Sequence, residues 1–159
     1  NETTIAGLGI NGKMNEFQSA MGLIQLKYVD SYISKNKKIT ETYRIGLKNV
    51  PGIKLLSNIP KTTLNYSYFP ILVEKKKYVL SRDELYLKLK ENNVLTRRYF
   101  YPLISNLDLY KDLPSSSRES LRVANRVATE VLCLPIYPDL TFDSVEDIIR
   151  IIKQIFIRT

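Results

Sequence analysis

The segment from Gly9 to Leu26 restricts the fold more than any other part of this chain. A glycine-flanked asparagine, Asn11, feeds a run that is small and apolar along much of its length. Glycines at 7, 9 and 12 let the backbone take positive φ or pass close to another chain or a ligand. The Asn11 amide can donate to a phosphate or bridge backbone groups. Asn15 stands where an N-cap belongs, and Gln18 follows at the spacing of a capping box. Ala20 and Gly22 lack the bulk that keeps a helix away from its neighbour. A polar loop over 1–13 leading into a tightly packed helix is therefore expected.

The remainder alternates helix and strand signals. Val29, Ile33, Ile39, Tyr43 and Leu47 form a second helical stripe with a basic outer face, stopped by Pro51 and Gly52. The first two helices read as one rod with a bend near 27–30. Short strands are predicted at 53–56 and 68–73, with Pro70 placing the start of the second at an edge or bulge. Residues 74–78 read as a basic turn or hairpin tip. Ser81 and Glu84 form a capping box, with Leu80 and Leu85 at hydrophobic-staple positions, and Asn92 and Asn93 end that helix. A strand is predicted from 94 to 96. Ser116 and Glu119 then predict a capped helix with a stripe at Leu121, Ala124, Val127, Ala128 and Val131. A buried strand over 132–136 follows. The last helix is capped by Thr141 or Asp143, with Val145, Ile148, Ile149, Ile152, Ile155 and Phe156 on one face. Together these predict a small α/β layer with a mixed or antiparallel sheet, preceded by a linking helix. Its expected core includes Leu85, Leu89, Val127, Val131, Ile148 and Ile152.

Composition removes several chemistries. The 159 residues contain no histidine and one cysteine, Cys133. That excludes His-based acid–base work and Cys-His nucleophiles built from this chain, as well as an intrachain disulfide. Cys133 lies in an apolar run and reads as a buried, inert thiol. The net charge is +8, and lysines cluster at 35–38 and 75–77, which read as solvated faces with weak attraction for anions. Nucleic-acid binding lacks any recognised motif, and no apolar run is long enough to span a membrane.

The order Gly9, Asn11, Lys13-Met14, Glu16, Ala20, Gly22, Gln25-Leu26 resembles the signature of the DegT/DnrJ/EryC1/StrS family of pyridoxal-phosphate (PLP) sugar aminotransferases. Segments 65–70, 96–103 and 132–140 agree in order, so the resemblance spans essentially the whole chain. It implies the C-terminal part of a fold-type I, aspartate-aminotransferase-like enzyme. Residues 1–27 would end the large domain with a cofactor-proximal loop and interface helix, and 28–159 would form the small α/β domain. In such proteins the Schiff-base lysine lies upstream of this signature, so the chain alone is expected to be inactive.

The resemblance also assigns roles. Asn11 would reach the PLP phosphate of a partner subunit in a homodimer, with Lys13 beside it where relatives usually carry arginine. Lysine supplies charge there without a bidentate fork. Arg97 or Arg98 would pair with a sugar diphosphate or the donor's carboxylate, and Tyr99 or Tyr101 would bond to or stack on the sugar or base. Ile104 stands where many relatives have histidine. No catalytic residue or metal ligand is assigned within the chain. The implied reaction moves an amino group, with glutamate the expected donor, onto a keto-sugar linked to a nucleotide, in the cytoplasm. The alternatives are a sugar dehydratase of the same family and a non-enzymatic regulatory or binding domain.

Overall fold

A computed structural model describes residues 12–157. Helix α1 spans Glu16–Leu26, and its capping box forms as expected: the Asn15 side chain accepts from the Gln18 N–H while Gln18 Oε1 accepts from the Asn15 N–H. A turn at Lys27 and Tyr28 separates it from α2, Val29–Leu47, so the rod does bend where expected. The expected tight packing of α1 is not met within this chain. It buries no residue, and Phe17 and Leu26 are 85% and 70% exposed. Its small, apolar surface finds no described residue to close against.

Three strands follow the order β1 (Ile53–Leu55), β2 (Phe69–Val73), β3 (Val131–Leu134), both pairs antiparallel. The central place of β2 would seem to forbid Pro70. Register resolves this. Pro70 lies opposite Cys133, whose own N–H and C=O bond to Arg97 on the far side of β3. The pair is therefore a non-hydrogen-bonded one, and the missing N–H of Pro70 points away from β3. On that side β1 has already ended, with Leu55 opposite Ile71. Pro70 thus occupies a local edge of a central strand.

Period-two alternation divides the sheet's burial. Phe69, Ile71 and Val73 with Leu132 and Leu134 enter the main core, against Ile39, Tyr43 and Leu47 of α2. Helices α4 (Arg82–Glu91) and α6 (Phe142–Ile157) close the same core with Leu85, Leu89, Val145, Ile148 and Ile152. Leu72, Val131 and Cys133 are buried outside that cluster, with α5 (Arg122–Glu130) in contact with β2 and contributing Ala128. Val131 is thus buried on a strand rather than on a helical stripe, and Val127 is only half-buried. Val131 is therefore buried as predicted but on a different element, and Val127 alone departs from the predicted core.

Other departures have local causes. Residues 75–78 form one helical turn, α3 (Lys75–Tyr78), not a hairpin tip. Tyr78 is fully buried, and its hydroxyl donates to the Ile152 carbonyl at 2.8 Å. The box expected at Ser116 and Glu119 does not form, because Pro114–Ser116 is a 3₁₀ turn and α5 starts only at Arg122. The strand expected at 94–96 reduces to a single bridge at Arg97. By contrast, α4 is capped as read. The Ser81 hydroxyl accepts from the Glu84 N–H, and the helix ends in a Schellman motif, with Asn93 at φ +60° and Val94 N–H bonded to Leu89 O at 2.9 Å. Among the described residues no helix is long and apolar enough to cross a membrane.

Candidate functional site

The aromatic-basic segment hangs on the free edge of β3. Arg97 exchanges two backbone hydrogen bonds with Cys133, at 3.0 and 2.8 Å, which pins the start of the segment to the sheet. Phe100 then takes φ +44°, a left-handed value that costs a non-glycine residue on the order of 1 kcal/mol. The turn sends its neighbours to different partners. Tyr99 meets Tyr68, with ring centroids 5.0 Å apart, whereas Tyr101 meets guanidinium groups. The Tyr101–Pro102 peptide is cis.

The two predicted arginines are in unlike states. Arg98 lies 4.8 Å over the Tyr86 ring and 5.6 Å over that of Tyr101, and its Nη1 bonds Asp83 Oδ1 at 3.3 Å. Its charge is already met. The Arg97 side chain is exposed and meets no carboxylate within ion-pair distance among the described residues. It is the open cation of the segment. Lys13 is exposed in the loop before α1, far along the chain from the other four residues. Asn11 lies outside the described residues.

Sequence reading missed the support beneath this segment. Arg82 is 1% exposed, the most completely buried charged side chain described. Its Nη1 donates to the Val131 carbonyl at 3.0 Å, and its guanidinium sits 4.9 Å from the Tyr101 ring centre. Its Nε lies 2.9 Å from Asp83 Oδ1 but off the hydrogen-bond axis, so this contact is an ion pair alone. A single carboxylate oxygen therefore serves two guanidinium groups that flank one tyrosine ring. Such cation–π contacts contribute roughly 0.5–1 kcal/mol at exposed sites and more when desolvated. The capping box marked Arg82 only as the first residue of a helix. Nothing in the local sequence shows that it turns inward.

Cys133, on β3 beside Arg97, is a buried free thiol whose pKa burial pushes up to about 11, with Arg97 pulling weakly the other way. A thiol held neutral is a poor nucleophile, in agreement with its reading as inert.

The sequence profile of the DegT/DnrJ/EryC1/StrS aminotransferase family matches residues 1–153. A dTDP-4-amino-4,6-dideoxy-D-glucose transaminase of Escherichia coli is 49% identical over 95% of this chain and 40% of its own length. One from Shigella dysenteriae is 39% identical, over 97% of this chain and 41% of its own length. Among solved structures, S. venezuelae DesV in complex with a ketimine intermediate superposes with a TM-score of 0.84 at 26% identity. The match covers 100% of this chain and 41% of that one. The chain thus spans about 40% of the length of the curated relatives it matches. With a profile match across nearly its whole length, the chain belongs to the DegT/DnrJ/EryC1/StrS aminotransferase family.

Proposed function

We propose that this chain is the C-terminal portion of a PLP-dependent aminotransferase that transfers an amino group, with glutamate as donor, to a nucleotide-linked keto-sugar. The family match over residues 1–153 carries this reading. The transaminase names of the two relatives at 49% and 39% identity support amino transfer over dehydration and over a purely regulatory domain. In this reading residues 1–27 complete the large domain and 28–159 form the small one. The exposed apolar surface of α1 supports such a division, since it needs a cover. The Schiff-base lysine belongs to the part of the protein outside the 159 residues, and the chain alone is inactive. A cytoplasmic homodimer is part of the same reading.

The donor set suits PLP's phosphate. Lys13 is an exposed cation, and Asn11 carries an amide that donates without adding charge. Asn11 would serve the partner subunit's cofactor across the dimer interface. When bound, PLP supplies the electron sink for carbon–nitrogen chemistry. The residues of this chain bind and orient. Arg97 offers its unpaired guanidinium to a substrate phosphate or carboxylate. Tyr99 and Tyr101 offer ring faces and hydroxyls to the sugar or base, and Arg98 braces Tyr101.

Steady-state kinetics of the whole protein test this. Arg97→Leu is expected to lower kcat/KM for the sugar substrate roughly ten- to a hundredfold, the loss of one charge-assisted contact worth about 1.5–3 kcal/mol. Arg98→Leu should act less on substrate affinity, because Asp83 already holds that charge. An unchanged kcat/KM in Arg97→Leu would remove Arg97 from the site. Absence of any amino transfer to nucleotide-linked keto-sugars in the wild type would overturn the reading itself.

A further inference from the structure

Among the described residues, the buried side-chain atoms without a hydrogen-bond partner include Thr40 Oγ1 and Arg44 Nε. Both residues line one pocket of about 450 Å³, enclosed by α2, the 56–68 loop and Tyr99. Thr40 is more than nine-tenths buried. A third such atom, Asn36 Oδ1, belongs to a side chain whose Nδ2 donates to the Tyr66 carbonyl in the pocket wall, at 3.3 Å. Asn36 Oδ1 is an acceptor outside the lining, whereas Thr40 Oγ1 and Arg44 Nε are donors of residues that line the pocket. Native structures rarely leave buried donors idle, and this pair on one pocket suits an acceptor.

The charge in the pocket is unbalanced in the same sense. Arg44 Nη2 donates to the Leu56 carbonyl and to Asn58 Oδ1, both at 2.8 Å, which fixes the guanidinium in place. No aspartate or glutamate lines the pocket, and Arg44 meets no carboxylate within ion-pair distance among the described residues. The other walls include Ile59 and Leu64 and the tilted Tyr68–Tyr99 pair. A held cation and a hydroxyl at one end suit an oxyanion. Aromatic and aliphatic walls suit a flat ring.

We propose that this pocket binds a flat ring carrying an oxyanion, with the oxyanion on Arg44 and Thr40 and the ring against Tyr68 and Tyr99. Two sources share that chemistry: the nucleotide end of the substrate, and a free aromatic carboxylate. Only the first rests on the transaminase reading.

Calorimetric titration of the whole, cofactor-loaded protein separates them, and loading keeps the cofactor site from taking up the probes. The probes are thymidine 5′-monophosphate and benzoate, with inorganic phosphate and thymidine as their parts. Saturable one-to-one binding of the nucleotide assigns the pocket to the substrate, and that of benzoate to a free carboxylate. Either supports the site, provided Arg44→Leu weakens it at least tenfold and Thr40→Val severalfold, at unchanged melting temperature. Should Arg44→Leu fail to fold, Arg44→Lys keeps the charge, and the site then predicts partial retention of affinity. The inference is overturned if neither probe saturates, if inorganic phosphate binds as tightly as the nucleotide, or if the Arg44 and Thr40 variants bind like wild type. Heats of binding are independent of turnover, so an inactive enzyme would leave this result standing.

Discussion

Asp83 sorts two adjacent arginines. Its Oδ1 lies 3.3 Å from Arg98 Nη1 and 2.9 Å from Arg82 Nε, so one exposed carboxylate ties a surface cation to a buried one. The exposed Arg98–Asp83 pair contributes roughly 0–1 kcal/mol, so its effect is mainly on position. Arg98 is held over Tyr86 and Tyr101, and Arg97 is left free. Two neighbours that look alike in sequence differ because the chain alternates sides at the edge of β3. Cys133 shows the same control by environment. Its burial at 4% exposure and its pKa near 11 predict a thiol that resists iodoacetamide at pH 8 in the folded protein. The unfolded chain should react at the ordinary thiol rate. Since folding raises this pKa, Cys133 contributes no penalty below the unfolded thiol's pKa and disfavours the fold as pH rises past it. Mass spectrometry of native and urea-unfolded samples checks the reactivity. Rapid native labelling would show that the β3 edge opens.

At the scale of elements, α4 carries the strongest local signal and keeps it in three dimensions. The Ser81 hydroxyl accepts from the Glu84 N–H while the Glu84 carboxylate accepts from the Ser81 N–H at 2.6 Å. Leu80 packs against the core beside the fully buried Leu85. Ser81→Ala is expected to cost about 1 kcal/mol of stability, read from urea unfolding. The penalty should depend on pH. The Ser81 side chain and backbone bonds, followed by Lys75, lower the Glu84 pKa from 4.5 to about 2. A depressed carboxylate stabilises the fold above its unfolded pKa and loses that contribution as pH falls towards its folded one. The wild-type advantage over Ser81→Ala should therefore shrink between about pH 4.5 and pH 2. A penalty that is constant across that range would mean the box is not formed. The Ser116–Glu119 spacing matches the same pattern but builds nothing, because Pro114 starts a 3₁₀ turn and the helix begins six residues after Ser116.

Across the whole molecule, the helices on one face of the sheet set the core. Helices α2 and α6 pack closely, and Gly46 shows how closely: a Cβ there would lie 2.5 Å from Ile149 Cδ1. Gly52, at φ +76°, brings the start of β1 against the Tyr78 backbone, where a Cβ would meet the Tyr78 amide nitrogen at 2.3 Å. Ile148 sits in this layer at 4% exposure. Ile148→Asp buries an unpaired carboxylate and should cost more than about 5 kcal/mol, which matches the whole stability of a domain at the low end of the usual range of roughly 5–15 kcal/mol. Loss of a cooperative melting transition by circular dichroism is the expected outcome. A variant that melts cooperatively near the wild-type temperature would show that this helix face is wrongly placed.

The sequence alone determined what depends on neighbours within a few residues, and on the resemblance carried by 9–26. The capping boxes at Asn15 and Ser81, the Asn93 stop, the stripe of α6, that of α2 from Ile39 onward, and the strands read at 53–56 and 68–73, each within a residue of its observed bounds, are of this kind. Each is an exchange of hydrogen bonds or an apolar period that the local chain specifies. Tertiary structure decided the rest. It placed Pro70 where β1 has ended, turned Arg82 inward to Val131, and paired Arg98 while leaving Arg97 open. It also set Arg44 and Thr40 on the wall of one pocket. These outcomes depend on strand register and on contacts between residues tens of positions apart, and the energy of such contacts appears only once the sheet has formed.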